Sequence, residues 1–267
     1  MSYTVETAVT DRFEMKYLKF GQGDKPFVII PGLSLFSVLA SAPLIEKQFE
    51  LLKEDFTVYL FDRRNIIPEN YSVYDMADDT AEAMRAIGLS GVSLYGASQG
   101  GMISMAIAVK YPKLVNALVI ASTVCRTEGR EDTVREWMRL AKENEAEKLC
   151  LSFGQKVYSK EVFEANRAAF SDMAKLAKPD DLERFFVLAG AVDGFDITGE
   201  LSGLACPVLV LGDTDDAVFG SGIVEETAKA LENNPEAKHF VYSGYGHAVY
   251  DTAPDFIERI HSFLTGK

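Results

Sequence analysis

The first candidate for chemistry is a serine flanked by glycines: residues 96–100 read G-A-S-Q-G, with Ser98 at the centre. A short apolar run, residues 92–95, precedes this segment, and a helical pattern over residues 101–110 follows it. A G-x-S-x-G between a strand and a helix is typical of a nucleophile elbow, a sharp turn that exposes the serine hydroxyl at a helix N-terminus. Ser98 is therefore the candidate nucleophile.

A serine hydroxyl needs a base within hydrogen-bond reach, and histidine is the usual base near neutral pH. The chain has three histidines. His239 opens a strand-like segment and His261 lies on the flank of the last amphipathic helix, so both are expected to be structural. His247 ends the segment G-Y-G-H, in a glycine-rich loop that can carry the ring to the carboxyl edge of a parallel sheet. His247 is therefore the candidate base.

The acid that orients such a histidine has several candidates. Residues 212–216 read G-D-T-D-D and follow the apolar run 208–211, again at the carboxyl end of a strand. One of these aspartates is expected to hold the imidazole in the required tautomer. The alternative is a turn whose aspartates bond their own backbone, and Asp213 suits that role because it directly follows the glycine.

The elements that must position these groups alternate between strands and helices. Apolar runs separated by helical patterns predict parallel strands covered on both faces, at residues 27–30, 57–61, 92–95, 118–120, 208–211 and 239–242. Two alternating segments near residues 4–9 and 13–20 predict a hairpin at one sheet edge. Between about residues 123 and 203 the pattern is helical, over residues 131–147, 160–177 and 180–191. We expect an α/β core of residues 1–122 and 203–267 with an inserted helical cap of residues 123–202.

Three motifs together resemble the α/β-hydrolase superfamily, in its capped serine-esterase, haloperoxidase-like and lactonase-like branch. They lie at residues 96–101, 212–219 and 244–264. The resemblance implies a mostly parallel, eight-stranded sheet flanked by helices, with the triad in the order serine, aspartate, histidine. The family's G-D-x-D turn places the acid at its second aspartate, which corresponds to Asp215, and its G-x-G-H segment corresponds to His247.

The resemblance also implies an oxyanion hole of two backbone N–H groups. One belongs to Gln99, the residue after the nucleophile, and the other to Leu33, on the loop after the first core strand. Relatives commonly have His-Gly in that loop, where this chain has Pro31-Gly32. The donor itself is main chain, so the departure affects the loop's support.

Candidate pocket residues are less constrained by the sequence. Ser34 and Phe36 follow the oxyanion loop, and aromatic side chains of the cap and the acid loop could also line a pocket: Trp137, Phe186 and Phe219. The alternative for these aromatics is packing against neighbouring helices.

After the second core strand, relatives commonly continue with Asp-x-Arg-Gly, whereas this chain has Asp62-Arg63-Arg64-Asn65. We expect Asp62 and Arg63 to form an ion pair that fixes this loop.

Composition restricts the function further. A formal net charge of −13 argues against nucleic-acid binding, which requires a basic face. No apolar run is long enough to span a bilayer, and the N-terminal segment lacks a secretion signal. Three scattered cysteines argue against a disulfide framework and favour a reducing cytoplasm. We expect no metal, no cofactor and no membrane partner, with a monomer or a homodimer both open.

A serine at the elbow argues against the dehalogenases and epoxide hydrolases that the resemblance also includes, because those attack with aspartate. The arrangement predicts hydrolysis of a small, neutral to partly apolar ester through an acyl-enzyme. The same triad could instead hydrolyse a lactone or a C–C bond, transfer an acyl group, or perhydrolyse an acid. A third possibility is a ligand-binding member of the fold without catalysis.

Overall fold

The computed structural model describes residues 3–267, so the first two residues of the expected core segment 1–122 lie outside the described residues. Within them, eight strands form one sheet in the spatial order β1-β2-β4-β3-β5-β6-β7-β8. In chain order the strands are β1 Thr4–Val9, β2 Glu14–Gly21, β3 Lys25–Ile30, β4 Phe56–Arg64, β5 Val92–Ala97, β6 Val115–Ala121, β7 Val208–Asp213 and β8 Ala237–Tyr242.

The sheet is mostly parallel. β1 pairs antiparallel with β2, and β2 pairs antiparallel with β4, whereas every other pair is parallel. This architecture confirms the predicted fold class, and the predicted hairpin and apolar runs all fall on strands. Because β5, β7 and β8 point the same way, the loops that follow them meet at one edge of the sheet.

Helices cover both faces of the sheet and fill the connections. Within residues 3–267 none of them combines the length and the apolar composition needed to cross a membrane. Short 3₁₀ turns occur at Val38–Ser41, Glu50–Leu52 and Pro112–Leu114. The α-helices are α1 Ala42–Gln48, α2 Val73–Ala86, α3 Gln99–Lys110, α4 Asp132–Lys142, α5 Ala146–Val157, α6 Lys160–Ala174, α7 Pro179–Gly190, α8 Thr198–Leu201, α9 Ile223–Ala230, α10 Val249–Thr252 and α11 Phe256–Thr265.

The central strands are buried on both faces, which explains their continuous apolar runs. In β3, Val28 and Ile30 belong to one apolar core, while Phe27 and Ile29 belong to a second core across the sheet. Successive side chains of a strand point to opposite faces, so a strand without alternation needs cover on both sides. The rigid sheet between the two cores supports the loops at its carboxyl edge.

The chain between β6 and β7 contains helices α4–α8, and we call this segment the cap. Its described residues form no strand, only an isolated bridge between Arg126 and Asp196. The boundaries of 123 and 202 for a separate cap domain stay a prediction. The helix predicted over residues 131–147 is wrong as a single element, because Asn144 adopts the left-handed φ of 56° and separates α4 from α5. Asparagine tolerates that conformation better than most residues do.

Candidate active site

Ser98 forms a strained turn at the centre of the sheet. β5 ends one residue before it and α3 begins one residue after it, and its backbone has φ 54° and ψ −125°. A Cβ on Gly96 would lie 2.2 Å from the carbonyl oxygen of Gly100, and a Cβ on Gly100 would lie 2.0 Å from that of Ile30. The motif therefore needs both glycines, and the strained conformation falls on the candidate nucleophile.

Neighbouring strands fix the backbone of this serine. The Ser98 N–H donates to the carbonyl oxygen of Ala121 at the end of β6, at 2.8 Å. The Ser98 carbonyl accepts a 2.8 Å hydrogen bond from the hydroxyl of Thr123. These two bonds fix the backbone of a residue that is half-buried.

His247 lies in the loop after β8 and is 2% exposed. The next residue, Ala248, donates its N–H to the carbonyl of Val157 at 2.7 Å, which ties this loop to the end of α5 in the cap. The Phe219 ring packs edge-on against the imidazole, with 5.5 Å between ring centroids. Nδ1 of His247 lies 2.7 Å from Oδ2 of Asp216. This pair is the buried base and acid of the candidate site.

Asp216 is held as an ionised acceptor. Its side chain is 0% exposed, and its Oδ1 accepts hydrogen bonds from the N–H groups of Val218 at 2.8 Å and Phe219 at 2.9 Å. Burial raises the pKa of this carboxyl, but attraction to His247, the hydrogen bond to its ring and the two N–H donors outweigh burial and leave the pKa lowered. An ionised Asp216 accepts the Nδ1–H of the neutral ring and leaves Nε2 free to accept a proton.

The structure corrects the expectation that Asp215 contacts the histidine. The Asp215 carboxylate instead accepts from the Gly244 N–H at 2.8 Å and from the Ser243 hydroxyl at 3.3 Å. These bonds join the acid loop to the histidine loop at the surface. Asp213 belongs to β7 and accepts from the N–H of Tyr245 at 3.0 Å. All three aspartates thus organise the histidine loop, but only Asp216 reaches the ring among residues 3–267.

Ser98 and His247 come from loops at the same sheet edge. The structure records no direct hydrogen bond between the serine hydroxyl and the ring; the ring's hydrogen bond is the one to Asp216. In ligand-free enzymes such catalytic hydrogen bonds are often long and tighten only when substrate binds.

The two segments expected to supply an oxyanion hole adjoin Ser98. A Cβ on Gly32 would lie 3.2 Å from the Cβ of Ser98, so the loop that carries Leu33 touches the serine. Gln99 is the first residue of α3 and is 1% exposed. The first N–H groups of a helix have no partner within the helix, which leaves this one available to a ligand oxygen. The oxyanion role of both residues stays a prediction.

The expected ion pair between Asp62 and Arg63 is wrong for the side chains that the structure describes. Asp62 accepts from the Ser37 hydroxyl and lies 3.5 Å from Nη2 of Arg184 in α7. The guanidinium of Arg63 turns away, toward the carbonyl of Pro31 and the side chain of Gln99. Sequence spacing pairs neighbours, but adjacent strand residues point to opposite faces of the sheet.

A cavity of about 240 Å³ lies between the oxyanion loop and the cap. Its wall contains the donor candidate Leu33 together with Ser34 and Phe36, where the sequence analysis looked for a pocket. The remaining wall comes from residues 35, 37, 38, 40 and 41 and from the cap residues Leu149, Cys150, Phe153, Met173 and Phe185. Among residues 3–267, no Asp, Glu, Lys, Arg or His contributes to this wall. Burial raises the pKa of the Cys150 thiol to about 11, so this group is also uncharged near neutral pH.

The other predicted pocket aromatics lie elsewhere. Trp137 is buried inside the cap, where its ring packs at a tilt against Phe153, with 4.8 Å between ring centroids, and its N–H donates to the Ser152 hydroxyl. Phe186 faces a different surface hollow, near residues 69–72. Phe219 packs on His247 and does not belong to the wall of the cavity. Helix periodicity marks such residues as inward-facing without saying which neighbour they meet.

Comparison with known proteins agrees with this geometry. The family model for the alpha/beta hydrolase fold matches residues 25–254. The chain belongs to the α/β-hydrolase family. This assignment confirms the resemblance that the three sequence motifs indicated.

Individual relatives are distant but cover the whole fold. The chain is 26% identical over 228 residues to a protein named "Putative carbamate hydrolase RutD" from Pantoea ananatis (strain LMG 20103), with 80% of each chain covered. The structure of the present chain resembles that of MGS-M2, an alpha/beta hydrolase enzyme from a Medee basin deep-sea metagenome library. The TM-score is 0.85, with 18% identity and 98% of each chain covered. The enol-lactonase from Burkholderia xenovorans LB400 superimposes with a TM-score of 0.81 and 18% identity, covering 97% of this chain and 100% of that one. The family and the relative named as a hydrolase support hydrolase activity for this protein.

Proposed function

We propose that the protein is a serine hydrolase that cleaves small, uncharged carboxylic esters through an acyl-enzyme. One observation carries this proposal: a buried aspartate–histidine pair, 2.7 Å apart, at the sheet edge where a serine occupies a strained turn. Asp216 replaces Asp215 as the acid, while Ser98 and His247 keep the roles expected from the sequence. Burying an ionised carboxylate costs desolvation, and a carboxylate that orients a catalytic imidazole accounts for that cost.

Each residue of the candidate site has one role in the proposed reaction. His247 Nε2 takes the proton of the Ser98 hydroxyl as the oxygen attacks the ester carbonyl, and Asp216 stabilises the imidazolium that forms. The N–H groups of Leu33 and Gln99 receive the oxyanion of the tetrahedral intermediate. The imidazolium then protonates the departing alcohol, and a water molecule activated by the same ring hydrolyses the acyl-enzyme.

The cavity reaches the candidate site through Leu33 rather than through Ser98 or His247, and its wall favours an uncharged substrate group. Its wall is built from apolar side chains, serines and a protonated thiol, so a charged substituent would lose its hydration without gaining a partner. A volume of about 240 Å³ lies just below the range of roughly 300–1,000 Å³ of ordinary ligand pockets, which suits a short acyl or alcohol group.

Stopped-flow hydrolysis of p-nitrophenyl esters from acetate to decanoate tests the proposal. We expect a burst of nitrophenol equal to the enzyme concentration, the highest kcat/KM for uncharged short chains, and a lower value for the hemisuccinate. Ser98→Ala should remove the burst. Ser104→Ala is the matched control, because its hydroxyl is buried in α3 without a partner among the described residues.

Two further substrates distinguish ester hydrolysis from the hydrolysis of carbamates and enol-lactones. A phenyl carbamate and an enol-lactone, classes named for the relatives above, belong in the same panel. The proposal fails if Ser98→Ala turns over nitrophenyl esters as fast as the unmodified protein. It also fails in its substrate class if a charged ester or the carbamate is hydrolysed at least tenfold more efficiently than every neutral ester.

A further inference from the structure

A buried arginine contacts both segments that carry the expected oxyanion donors. Arg63 lies near the end of β4 and is 8% exposed. Its Nη2 donates to the carbonyl oxygen of Pro31 at 2.9 Å and to Oε1 of Gln99 at 3.2 Å. A single nitrogen thus connects the loop after β3 with the first residue of α3.

The two contacts fall close to the donors themselves. Pro31 precedes Leu33 by two residues, and Gln99 supplies the second donor from its own backbone. Consecutive Cα atoms are ~3.8 Å apart, so a shift at Pro31 reaches the Leu33 N–H within two peptide units. The arginine therefore constrains the distance between the two N–H groups.

The same bridge continues into the cap. The other end of the Gln99 side chain, Nε2, donates to the carbonyl of Leu188 in α7. One turn earlier on α7, Arg184 approaches the carboxylate of Asp62 at 3.5 Å. The cap helix that helps to wall the cavity is thus joined to the oxyanion segments through Gln99 and Arg63.

Burying a cation at this position costs desolvation free energy, and packing alone gives no reason to keep a cation there. Nε of Arg63 is buried and has no hydrogen-bond partner among the described residues. Burial lowers the pKa of its guanidinium to about 10. An apolar residue of similar size would avoid this desolvation.

We propose that Arg63 is a positioning residue that sets the separation of the Leu33 and Gln99 N–H groups and thereby stabilises the tetrahedral oxyanion. This inference rests on the proposed serine hydrolase. The guanidinium contacts no substrate in this role. Its effect appears mainly in the transition state, because only the oxyanion uses both donors at once.

Arg63→Met tests the inference, with Arg64→Met as the matched control. Arg64 is the next residue of β4 and is also largely buried, and its Nε likewise has no partner within the part of the chain that the structure describes. It points away from the site and pairs with Asp79 of α2 at 2.9 Å. The control therefore removes a similar buried charge without touching either oxyanion segment.

We expect Arg63→Met to lower kcat by about 30- to 100-fold with KM changed less than threefold, below the ~10²–10³-fold loss of a whole oxyanion donor. Affinity for a trifluoromethyl ketone, which forms a tetrahedral adduct, should fall by a similar factor. Arg63→Lys should recover at least fivefold of the lost kcat because its ammonium can donate to one of the two acceptors. Arg64→Met should stay within threefold of the unmodified protein.

A double-mutant cycle covers the case in which Arg63→Met does not fold. Gln99→Met keeps the backbone donor and removes only the side-chain bridge. Gln99→Met and Arg63→Lys should weaken the same bridge. The factor by which the double variant lowers kcat should therefore be smaller than the product of the two single factors. Multiplying effects would overturn the proposal, as would a raised KM at unchanged kcat or equal losses in Arg63→Met and Arg64→Met. Failure of the proposed function looks different: the unmodified protein then shows no burst and no adduct on Ser98.

Discussion

Replacing Asp216 by asparagine should change which nitrogen of the His247 ring carries the proton, because the two side chains share a hydrogen bond. In the protein, Oδ1 of Asp216 accepts from two buried N–H groups while Oδ2 accepts from His247. An asparagine that keeps its oxygen on the two N–H groups must turn its NH₂ toward Nδ1 of His247. The ring then accepts at Nδ1 and carries its proton on Nε2, where the serine proton should go. The opposite orientation leaves three donors facing one another in a buried site.

The magnitude follows from the burial and separation of the pair. With N and O atoms 2.7 Å apart, the charge centres of the imidazolium and the carboxylate are about 4 Å apart, which corresponds to roughly 4 kcal/mol at an effective dielectric constant of about 20. Loss of that attraction alone slows the reaction by about 10³-fold. The unfavourable tautomer adds to this loss, so we expect kcat to fall by about 10³- to 10⁴-fold for Asp216→Asn.

Asp215→Asn is the control that separates the two adjacent aspartates. Asp215 is exposed and bonds only turn groups, so its variant should keep kcat within about threefold. The assay is steady-state hydrolysis of p-nitrophenyl acetate at pH 8, with thermal unfolding to confirm that both variants fold. Equal losses in the two variants, or a larger loss in Asp215→Asn, would refute the assignment of the acid.

Three further outcomes follow from the site. The lowered pKa of Asp216 gives stability that is present above the ordinary aspartate pKa of about 3.9 and is lost as pH falls through the folded value. Urea midpoints of the protein and of Asp216→Asn should therefore converge as the pH falls below about 4, and a constant difference would contradict this. With a Cys150 pKa of about 11, only ~0.1% of the thiol is ionised at pH 8. Iodoacetamide should therefore not inactivate the folded enzyme within an hour. Rapid modification of Cys150 would show that the cavity wall opens to solvent. Cys150→Phe should fill part of the cavity, lowering kcat/KM at least tenfold for the hexanoate ester but less than threefold for the acetate ester. Cys206 lies outside the cavity wall, so Cys206→Phe should leave the ratio of the two kcat/KM values unchanged.

The sequence predicted the parts of the site that local backbone geometry determines. Ser98 needs a turn between close-packed segments, and only glycines fit two residues before and two residues after it, so the residue types themselves reveal the elbow. His247 follows a strand in a glycine-containing loop, and such a loop at a carboxyl end leads toward the same edge. These are short-range constraints that can be read along the chain.

The acid was not determined in the same way. Asp213, Asp215 and Asp216 lie within four residues, and their directions depend on where β7 ends. Strand boundaries inferred from sequence vary by a few residues, and a shift of one residue reverses the direction of a side chain. The family's spacing selected Asp215, while the extension of β7 through Asp213 brings Asp216 to the ring.

Contacts between distant segments were also beyond the sequence. Arg63 meets Pro31 and Gln99, which are 32 and 36 residues away, and nothing local distinguishes this partner choice from an ion pair with Asp62. Trp137 illustrates the same point in the cap, since the sequence left open whether it lines a pocket or packs on another helix, and the structure packs it against Phe153 of α5. Long-range packing decides both cases.

Peptide mapping of a covalent fluorophosphonate adduct tests the central claim most directly. A tryptic peptide spanning residues 86–110 contains Ser90, Ser93, Ser98 and Ser104, and fragmentation distinguishes them. We expect one adduct per chain, on Ser98, and labelling at least a hundredfold slower in His247→Ala. An adduct on any other serine, such as the second positive-φ serine Ser122, or undiminished labelling of Ser98→Ala, would contradict the account.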